Sequence, residues 1–265
     1  MKKFHALLFL VFFLPMLHAQ EDEIKTVLHQ PLKRNWQIEL NFMPWNTASN
    51  NVGIDQLTVK YRVGDRISLR MGLQYNGNKQ SKDFEKIDNP RYYDISEYEM
   101  QQSLFGIMPG IEFHFSNTRV SPYMGMVPFY INKKTRFEGT TVYHNGDAFT
   151  RTTTLKVDGG TCEQELITGT YPSYRDTYEQ DRAYKSYGVS IPLGLDIYLY
   201  RNFFIGFELG FGFSKTKYKT IYVKEGTTYT NDYSAPSVKD TEVPAKTDSK
   251  FGFFHNNALR VGIWF

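Results

Sequence analysis

The sequence predicts an all-β fold, an eight-stranded antiparallel up-and-down transmembrane β-barrel. Three observations predict it. Apolar and polar residues alternate with period 2 in eight segments, which is typical of strands with one apolar face. The connections between these segments are short and long in turn. Glycines collect on the polar face of the segments, while bulky side chains collect on the apolar face.

The alternating segments give the strands in chain order. The predicted strands are 36–42, 56–63, 67–75, 105–115, 120–131, 187–199, 203–213 and 258–265. The fifth segment, 120–131, is the weakest, and its pattern leaves open which of its faces points inward. Outside the N-terminal segment, no long stretch has the period of a helix.

The connections place the two ends of the predicted barrel. Those after strands two, four and six are the tight turns 64–65, 116–119 and 200–202. Those after strands one, three, five and seven are the long segments 44–53, 77–98, 132–183 and 220–250. Long structureless loops are uncommon in compact soluble domains but normal on the outer side of bacterial outer-membrane barrels. This pattern predicts short periplasmic turns and long extracellular loops, with both termini on the short-turn side.

Glycine placement indicates which face of the sheet points inward. The polar-face glycines are Gly72, Gly106, Gly110, Gly188, Gly194, Gly206, Gly210, Gly212 and Gly262. Glycine weakens a strand, but inside a narrow barrel it makes room for a large side chain opposite. The bulky apolar face suits lipid. A soluble barrel with its apolar face around a ligand is the arrangement that this pattern disfavours.

Charged residues of both signs share the predicted inner face. They are Glu39, Lys60, Arg62, Arg70, Glu112, Asp196, Glu208 and Arg260. Unpaired charge in a narrow lumen is costly, so we expect a structural cluster of ion pairs that fills the barrel. Charges that line a conduction path are the alternative, and a catalytic pair of carboxylates is a third possibility.

The N-terminus has the three parts of a secretory signal. Lys2 and Lys3 precede an apolar run over 4–17, and Ala19 offers a small residue for cleavage before Gln20. The predicted organisation is a signal peptide over 1–19, a periplasmic lead-in over 20–35 and a barrel domain over 36–265.

Composition and motifs exclude several classes. The formal net charge of +3 falls to +1 once Lys2 and Lys3 are removed, so nucleic acid is not an expected partner. A mean hydropathy of −0.46 excludes a bundle of transmembrane helices. The single cysteine, Cys162, excludes an intrachain disulfide and a cysteine-rich zinc site. The histidines form no HxH or HxxxH pair, and no nucleotide or hydrolase motif occurs in a credible context, so we expect no metal and no cofactor.

The C-terminus carries a resemblance to a known class. With the signal, the eight strands and the ending Leu259-Arg-Val-Gly-Ile-Trp-Phe265, the chain resembles eight-stranded outer-membrane barrels of the OmpA/OmpX/OmpW type. It is most similar to the outer-membrane β-barrel domain proteins of Bacteroidota. The resemblance implies a location in the outer membrane. It also implies a C-terminal assembly signal, read by the barrel-assembly machinery, at Leu259, Val261, Ile263 and Phe265.

The resulting hypothesis is a monomeric integral outer-membrane protein with a packed polar interior, surrounded by lipid. Its expected role is structural or a surface interaction, not catalysis. The first alternative is a small-solute, porin-like channel, and the second is an outer-membrane lipid hydrolase that uses His255. The tyrosine-rich long connections fit either an interfacial belt or a binding surface. The segment 132–183 carries seven basic and eight acidic residues, which argues against a dedicated polyanion receptor.

Overall fold

The computed structural model describes residues 35–42, 54–89, 92–116, 118–145, 149–161, 181–200, 202–230 and 235–265. The predicted signal peptide with Ala19, almost all of the lead-in, and Cys162 lie outside the described residues. Within the described ranges, no helix is long and apolar enough to cross a membrane.

Strands account for nearly all of the described residues. They are β1 Trp36–Phe42, β2 Ile54–Arg62, β3 Ile67–Asn89, β4 Tyr92–His114, β5 Val120–Asn145, β6 Phe149–Asp158, β7 Tyr184–Tyr200, β8 Phe203–Tyr218, β9 Ile221–Thr230, β10 Ser237–Val243 and β11 Lys246–Trp264.

Eight of these strands form a closed antiparallel ring. Its order is β1, β2, β3, β4, β5, β7, β8 and β11, and β11 pairs with β1 to close it. These strands follow the order of the eight predicted strands, so the antiparallel all-β prediction is confirmed. The start of β1 meets the end of the chain's last strand at the tight-turn end, where the Phe265 amide donates to the carbonyl of Trp36 at 2.9 Å.

For three of the four long connections, the prediction of a loop is wrong. The segment 77–98 is the far part of a β3–β4 hairpin, whose ladder runs from Ile67 and Phe113 to Asn89 and Tyr92. The segment 132–183 holds the rest of β5 and all of β6, and 220–250 holds β9, β10 and the start of β11. The sequence missed them because apolar–polar alternation requires one apolar face. Over most of their length these stretches present no sustained apolar face, apart from a few inward residues, while their backbone ladders continue.

The three unexpected strands lie in line with ring strands and add no new positions to the wall. Strand β6 pairs with the far half of β5 and β7 with its near half. Val243 pairs with Ile221 and Lys246 with Tyr218, so the β9–β10 ladder keeps the register of the β8–β11 ladder. The eleven strands of the described residues therefore occupy eight positions, and six of these positions continue well beyond the described parts of β1 and β2.

The interruptions lie side by side and form a seam, which we define as the breaks after β6, β8 and β10. The Ala183 amide donates to the Gly159 carbonyl at 2.8 Å, and the Lys219 amide donates to the Ala183 carbonyl at 2.9 Å. The buried guanidinium of Arg182 bridges the seam. Its Nε donates to the Lys219 carbonyl at 2.8 Å, and its Nη2 donates to the Pro244 carbonyl. One arginine thus satisfies carbonyl groups on two neighbouring strand positions.

The break after β6 requires a glycine. Gly159 has a φ of +88°, in the left-handed region that side chains disfavour. A Cβ at this position would lie 2.6 Å from the Thr220 carbonyl oxygen. Both conditions confine the position to glycine.

Burial distinguishes the two faces of the ring. On β8, Phe204 and Glu208 are buried, whereas Phe203, Ile205 and Phe207 are exposed. The other ring strands follow the same pattern, so the predicted polar inside and apolar outside agree with the structure.

The structure also shows which face of β5 points inward, which the sequence left open. Ser121, Tyr123 and Val127 are buried, and Met124 and Met126 are exposed. The sequence left this facing ambiguous because apolar residues occur on both sides of the strand. The inward ones fill space that glycines on other strands leave free.

The seam provides a test of the wall. Replacing Arg182 with Gln should lower the free energy of unfolding by about 1.5–3 kcal/mol, because hydrogen bonds from a charged donor to buried carbonyls are lost. Hydrogen exchange should also accelerate at residues 219–223. The control is Arg136→Gln, whose side chain is 61% exposed and pairs with Glu138 at 2.5 Å. Denaturant unfolding in detergent measures both variants, and equal effects would show that Arg182 does not hold the seam.

Candidate functional site

The candidate site is the polar interior at the short-turn half of the ring. Each ring strand contributes one central side chain to it. In ring order these are Glu39, Lys60, Arg70, Glu112, Tyr123, Asp196, Glu208 and Arg260. All eight are buried. Inward-pointing side chains from all eight ring strands therefore meet at one cross-section of the ring.

Arg260 holds three carboxylates. Its Nη1 donates to Glu39 Oε2 at 3.0 Å, and its Nη2 donates to Asp196 Oδ1. Glu208 Oε2 lies 3.7 Å from the same Nη1. Each partner comes from a different strand, so this one guanidinium ties β11 to β1, β7 and β8.

The other two bases complete a closed cycle of ion pairs. Lys60 Nζ lies 2.6 Å from both Glu39 Oε1 and Glu112 Oε2. Arg70 Nη1 lies 2.8 Å from both Glu112 Oε1 and Glu208 Oε2. With Arg260, the signs alternate around the interior through six residues. We call this set, Arg260, Glu39, Lys60, Glu112, Arg70 and Glu208, the ion-pair cycle.

Tyr123 fills the space beside the cycle. Its hydroxyl donates to Glu208 Oε2 at 2.5 Å. The Lys60 Nζ lies 5.0 Å from its ring centroid and the Arg260 Cζ lies 4.7 Å from it, both within cation–π range. The ring therefore supplies apolar filling and also stabilises two of the buried cations.

Glycines provide the room that these side chains need. A Cβ on Gly194 would lie 2.2 Å from the Tyr123 ring, and one on Gly206 would lie 2.7 Å from Asp196 Oδ1 and 2.9 Å from Arg260 Nη2. A Cβ on Gly262 would lie 2.3 Å from the Phe204 ring. These positions show the role that the sequence predicted for polar-face glycines.

Arg62, the eighth predicted charge, lies apart from the cycle. Its guanidinium carbon stacks 4.3 Å from the Trp264 ring centroid. Trp264 packs with Tyr198 and Phe204 in a buried aromatic cluster. The structure thus joins Arg62 to the aromatic end of the interior, and brings the other seven predicted charges together.

A Ser–His–Glu arrangement also lies in the interior. His114 Nδ1 is 3.0 Å from Ser121 Oγ, and His114 Nε2 is 3.5 Å from Glu112 Oε2. The Ser121 hydroxyl donates to the Ser116 carbonyl at 2.6 Å, so its proton is not directed at the histidine. The serine is also fully buried. This geometry gives a general base no proton to take and a substrate no access.

His255 is the remaining predicted catalytic candidate. His255 falls on β11, but its side chain lies outside the described residues. In the described part of the chain, no three His, Cys, Asp or Glu residues are grouped as metal ligands. The interior is therefore described by its ion pairs alone.

Beyond the seam the inward face becomes apolar. Phe137, Leu155, Val157, Ile221 and Val223 form a buried cluster across β5, β6 and β9. Sequence reasoning missed it because β6 and β9 lay in segments predicted to be loops. The cluster gives the extended part of the sheet its own small core.

Between the two zones, Asp181 holds Lys133 and Gln102. Lys133 Nζ and Gln102 Nε2 each donate to its carboxylate at 2.9 Å. Burial raises the pKa of the Asp181 carboxyl, but the hydrogen bond and charge of Lys133 outweigh it, and the pKa lies below its ordinary value. The clasp links β4 and β5 to the chain entering β7.

The predicted assembly-signal residues lie on the outward side of β11 and just beyond it. Leu259, Ile263 and Phe265 are exposed and Val261 is half-buried. This places an apolar stripe beside β1 at the point where the ring closes.

Comparison with known proteins gives one family. A family model described as outer membrane protein beta-barrel domain matches residues 46–218. No curated protein matches the chain. Among solved structures, the crystal structure of Acinetobacter baumannii CarO is similar at 11% identity, covering 89% of this chain and 99% of that chain, with a TM-score of 0.27. A TM-score this low supports no inference about this chain, so classification rests on the family match.

The ion-pair cycle predicts a large stability effect at Arg260. Replacing Arg260 with Leu should lower the free energy of unfolding in detergent by about 3–5 kcal/mol, because Asp196 is left as a buried, unpaired charge and Glu39 keeps only Lys60 of its described ion-pair partners. The control is Lys156→Leu, whose side chain is 63% exposed and lies 3.6 Å from Glu138. An exposed pair contributes about 1 kcal/mol or less.

Urea unfolding followed by tryptophan fluorescence compares the two variants. If both lose the same small amount, water must reach and screen the Glu39 and Asp196 carboxylates. That result would show that the interior is hydrated and not filled by side chains.

Proposed function

This chain belongs to the outer membrane protein beta-barrel domain family, and from that membership we propose an integral outer-membrane protein with a structural or surface-interaction role. In this proposal, a closed barrel holds an extended β-sheet at the cell surface. The observation that carries it is the ion-pair cycle, which fills the cross-section with side chains paired to one another. A filled cross-section supports an anchor more than a conduit.

The outer face supports a membrane-spanning ring. An aliphatic zone lies between two sets of exposed aromatic side chains, a distribution typical of barrels whose aromatic girdles mark the two interfaces. Toward the tight turns these are Trp36, Tyr61, Phe113, Phe115, Phe203 and Phe265; toward the extension they are Tyr75, Phe105, Tyr130, Tyr187 and Phe213. We call the second set the upper girdle.

The asymmetry of the two ends supports the orientation. Turns as short as 64–65 lie beside the lower aromatic set, while six strand positions continue past the upper girdle. In outer-membrane barrels the short turns are periplasmic and the long segments extracellular. The extension therefore forms the surface-exposed part, with the seam and the apolar cluster making it a folded platform.

The alternatives have less support. A porin-like channel needs an open path, but the cycle and Tyr123 occupy the interior at the level of Glu208 and Arg260. A lipid hydrolase needs a nucleophile beside a base; the Ser121–His114 geometry does not provide one, and the side chain of His255, the residue predicted for that activity, lies outside the described residues. We therefore place neither conduction nor hydrolysis in the main proposal.

Export and assembly complete the proposal. We propose that residues 1–19 are the signal peptide and 20–35 a periplasmic lead-in. The outward stripe Leu259, Val261, Ile263 and Phe265 acts as the assembly signal, and the barrel works as a monomer in lipid.

Site-specific labelling tests the topology. In a Cys162→Ser background, Thr228→Cys on β9 and Asp65→Cys in the tight turn both place a thiol at an exposed position. A membrane-impermeant maleimide on intact cells should label the first and not the second. Asp65→Cys should react only after the outer membrane is permeabilised. The reverse pattern would invert the proposed orientation.

The same label reports assembly. Removing Phe265 from the Thr228→Cys chain should abolish labelling on intact cells, with the chain degraded or aggregated in the periplasm because unassembled strands expose apolar edges. Normal labelling of the shortened chain would show that Phe265 is dispensable for assembly.

A further inference from the structure

Four lysines lie together on the outer surface just beyond the upper girdle. Lys134 is on β5, Lys185 on β7, and Lys215 and Lys217 are on β8. Lys215 is half-buried and the other three are exposed. We call them the lysine patch.

The strand register brings these charges close together. Lys185 lies directly opposite Lys217 on the neighbouring strand, and Lys215 lies opposite Tyr187. The Lys217 Nζ also lies 5.7 Å from the Tyr187 ring centroid. Like charges directly opposite each other destabilise a sheet, so this arrangement carries a cost unless an anion offsets it.

No carboxylate of the described ladder neighbours offsets that cost. The other ladder neighbours are Asn132 for Lys185, Thr247 for Lys217 and Ser249 for Lys215. Within the described residues, no ion pair forms at any of the four lysines. Lys133, next in sequence but on the opposite face, is by contrast paired with Asp181 at 2.9 Å.

A second pair of opposed lysines shows the usual solution. Lys156 on β6 lies opposite Lys224 on β9. Here Glu138 lies 3.6 Å from Lys156, and Asp240 is the other ladder neighbour of Lys224. Among the residues that the structure describes, anions thus accompany this pair and none accompanies the patch.

We infer that the lysine patch binds the phosphate groups of an outer-leaflet lipid. Directly below the patch, the exposed rings of Tyr130, Tyr187 and Phe213 continue into the apolar belt. A lipid can therefore set its phosphates against the lysines and its acyl chains against the belt. A soluble phosphate compound would leave that apolar contact unused. The inference rests on the proposed membrane orientation and identifies the lipid class that this surface selects.

Lipid binding in detergent tests the inference. The probe is bis-phosphorylated lipid A, with its dephosphorylated form and inorganic phosphate as comparisons, and native mass spectrometry measures the bound fraction. The variant is Lys185→Gln with Lys217→Gln, and the matched control is Lys156→Gln with Lys224→Gln. Each juxtamembrane lysine contributes about 1 kcal/mol toward anionic lipid, so the patch variant should bind about 10- to 30-fold more weakly. The control should change by less than about twofold.

The outcomes separate the two proposals. Insertion of every variant into lipid vesicles and a heat-modifiable gel shift are measured first, and failure of the wild-type chain to insert overturns the proposed function. If all variants insert but the patch variant and the control bind bis-phosphorylated lipid A with equal affinity, the lipid-binding role of the lysine patch is overturned and the proposed function stands. Equal binding of dephosphorylated lipid A, or full competition by inorganic phosphate, also overturns the assignment to a membrane lipid.

Discussion

Charge inside a narrow, closed ring of strands must be neutralised by the chain itself, because little water can enter to solvate it. Arg260, Lys60 and Arg70 alternate with Glu39, Glu112 and Glu208 around the interior, so each cation lies between two carboxylates. Removing one partner from such a set strands the others at a cost of several kcal/mol. The ion pairs thus also join strands that share no backbone ladder, as between Arg70 on β3 and Glu208 on β8.

The rest of the architecture follows from filling that space. Long charged side chains and Tyr123 reach the centre only because Gly194 and Gly206 leave room beside them on the neighbouring strands. Because the polar side chains of the ring strands point inward and pair with one another, the alternating apolar side chains face outward and form a belt. Beyond the belt the strands continue as a sheet, held by the Phe137 cluster on its inward face and by Arg182 at the seam.

Sequence reasoning succeeded where one physical contrast dominates. The alternation that marks Trp36–Phe42 as a strand depends on a polar inside and an apolar outside, and its bounds are those of β1. The same contrast identified the charges that the structure brings together. It failed at Phe149–Asp158 and Ile221–Thr230, because their residues have no apolar belt to face and their pairing depends on partners far away in sequence.

Two finer features were also beyond the sequence. Arg62 shares the inner face with the other charges, but it lies beside Trp264, and only the level of each residue along the ring shows this. The balanced charge of 132–183 concealed the lysine patch, because the described acidic residues Glu138, Asp158 and Asp181 lie apart from it and three of the four lysines belong to β7 and β8. Both features depend on the register of the paired strands, which cannot be read from composition.

The central claim is that side chains close the interior. Single-channel recording of the purified chain in planar lipid bilayers tests it most directly, once a heat-modifiable gel shift has verified the folded state. The filled interior predicts a quiet baseline, with no sustained conductance steps across the applied voltage range. Steady, ohmic steps from the folded chain would contradict it and would make the ion-pair cycle the lining of a pore.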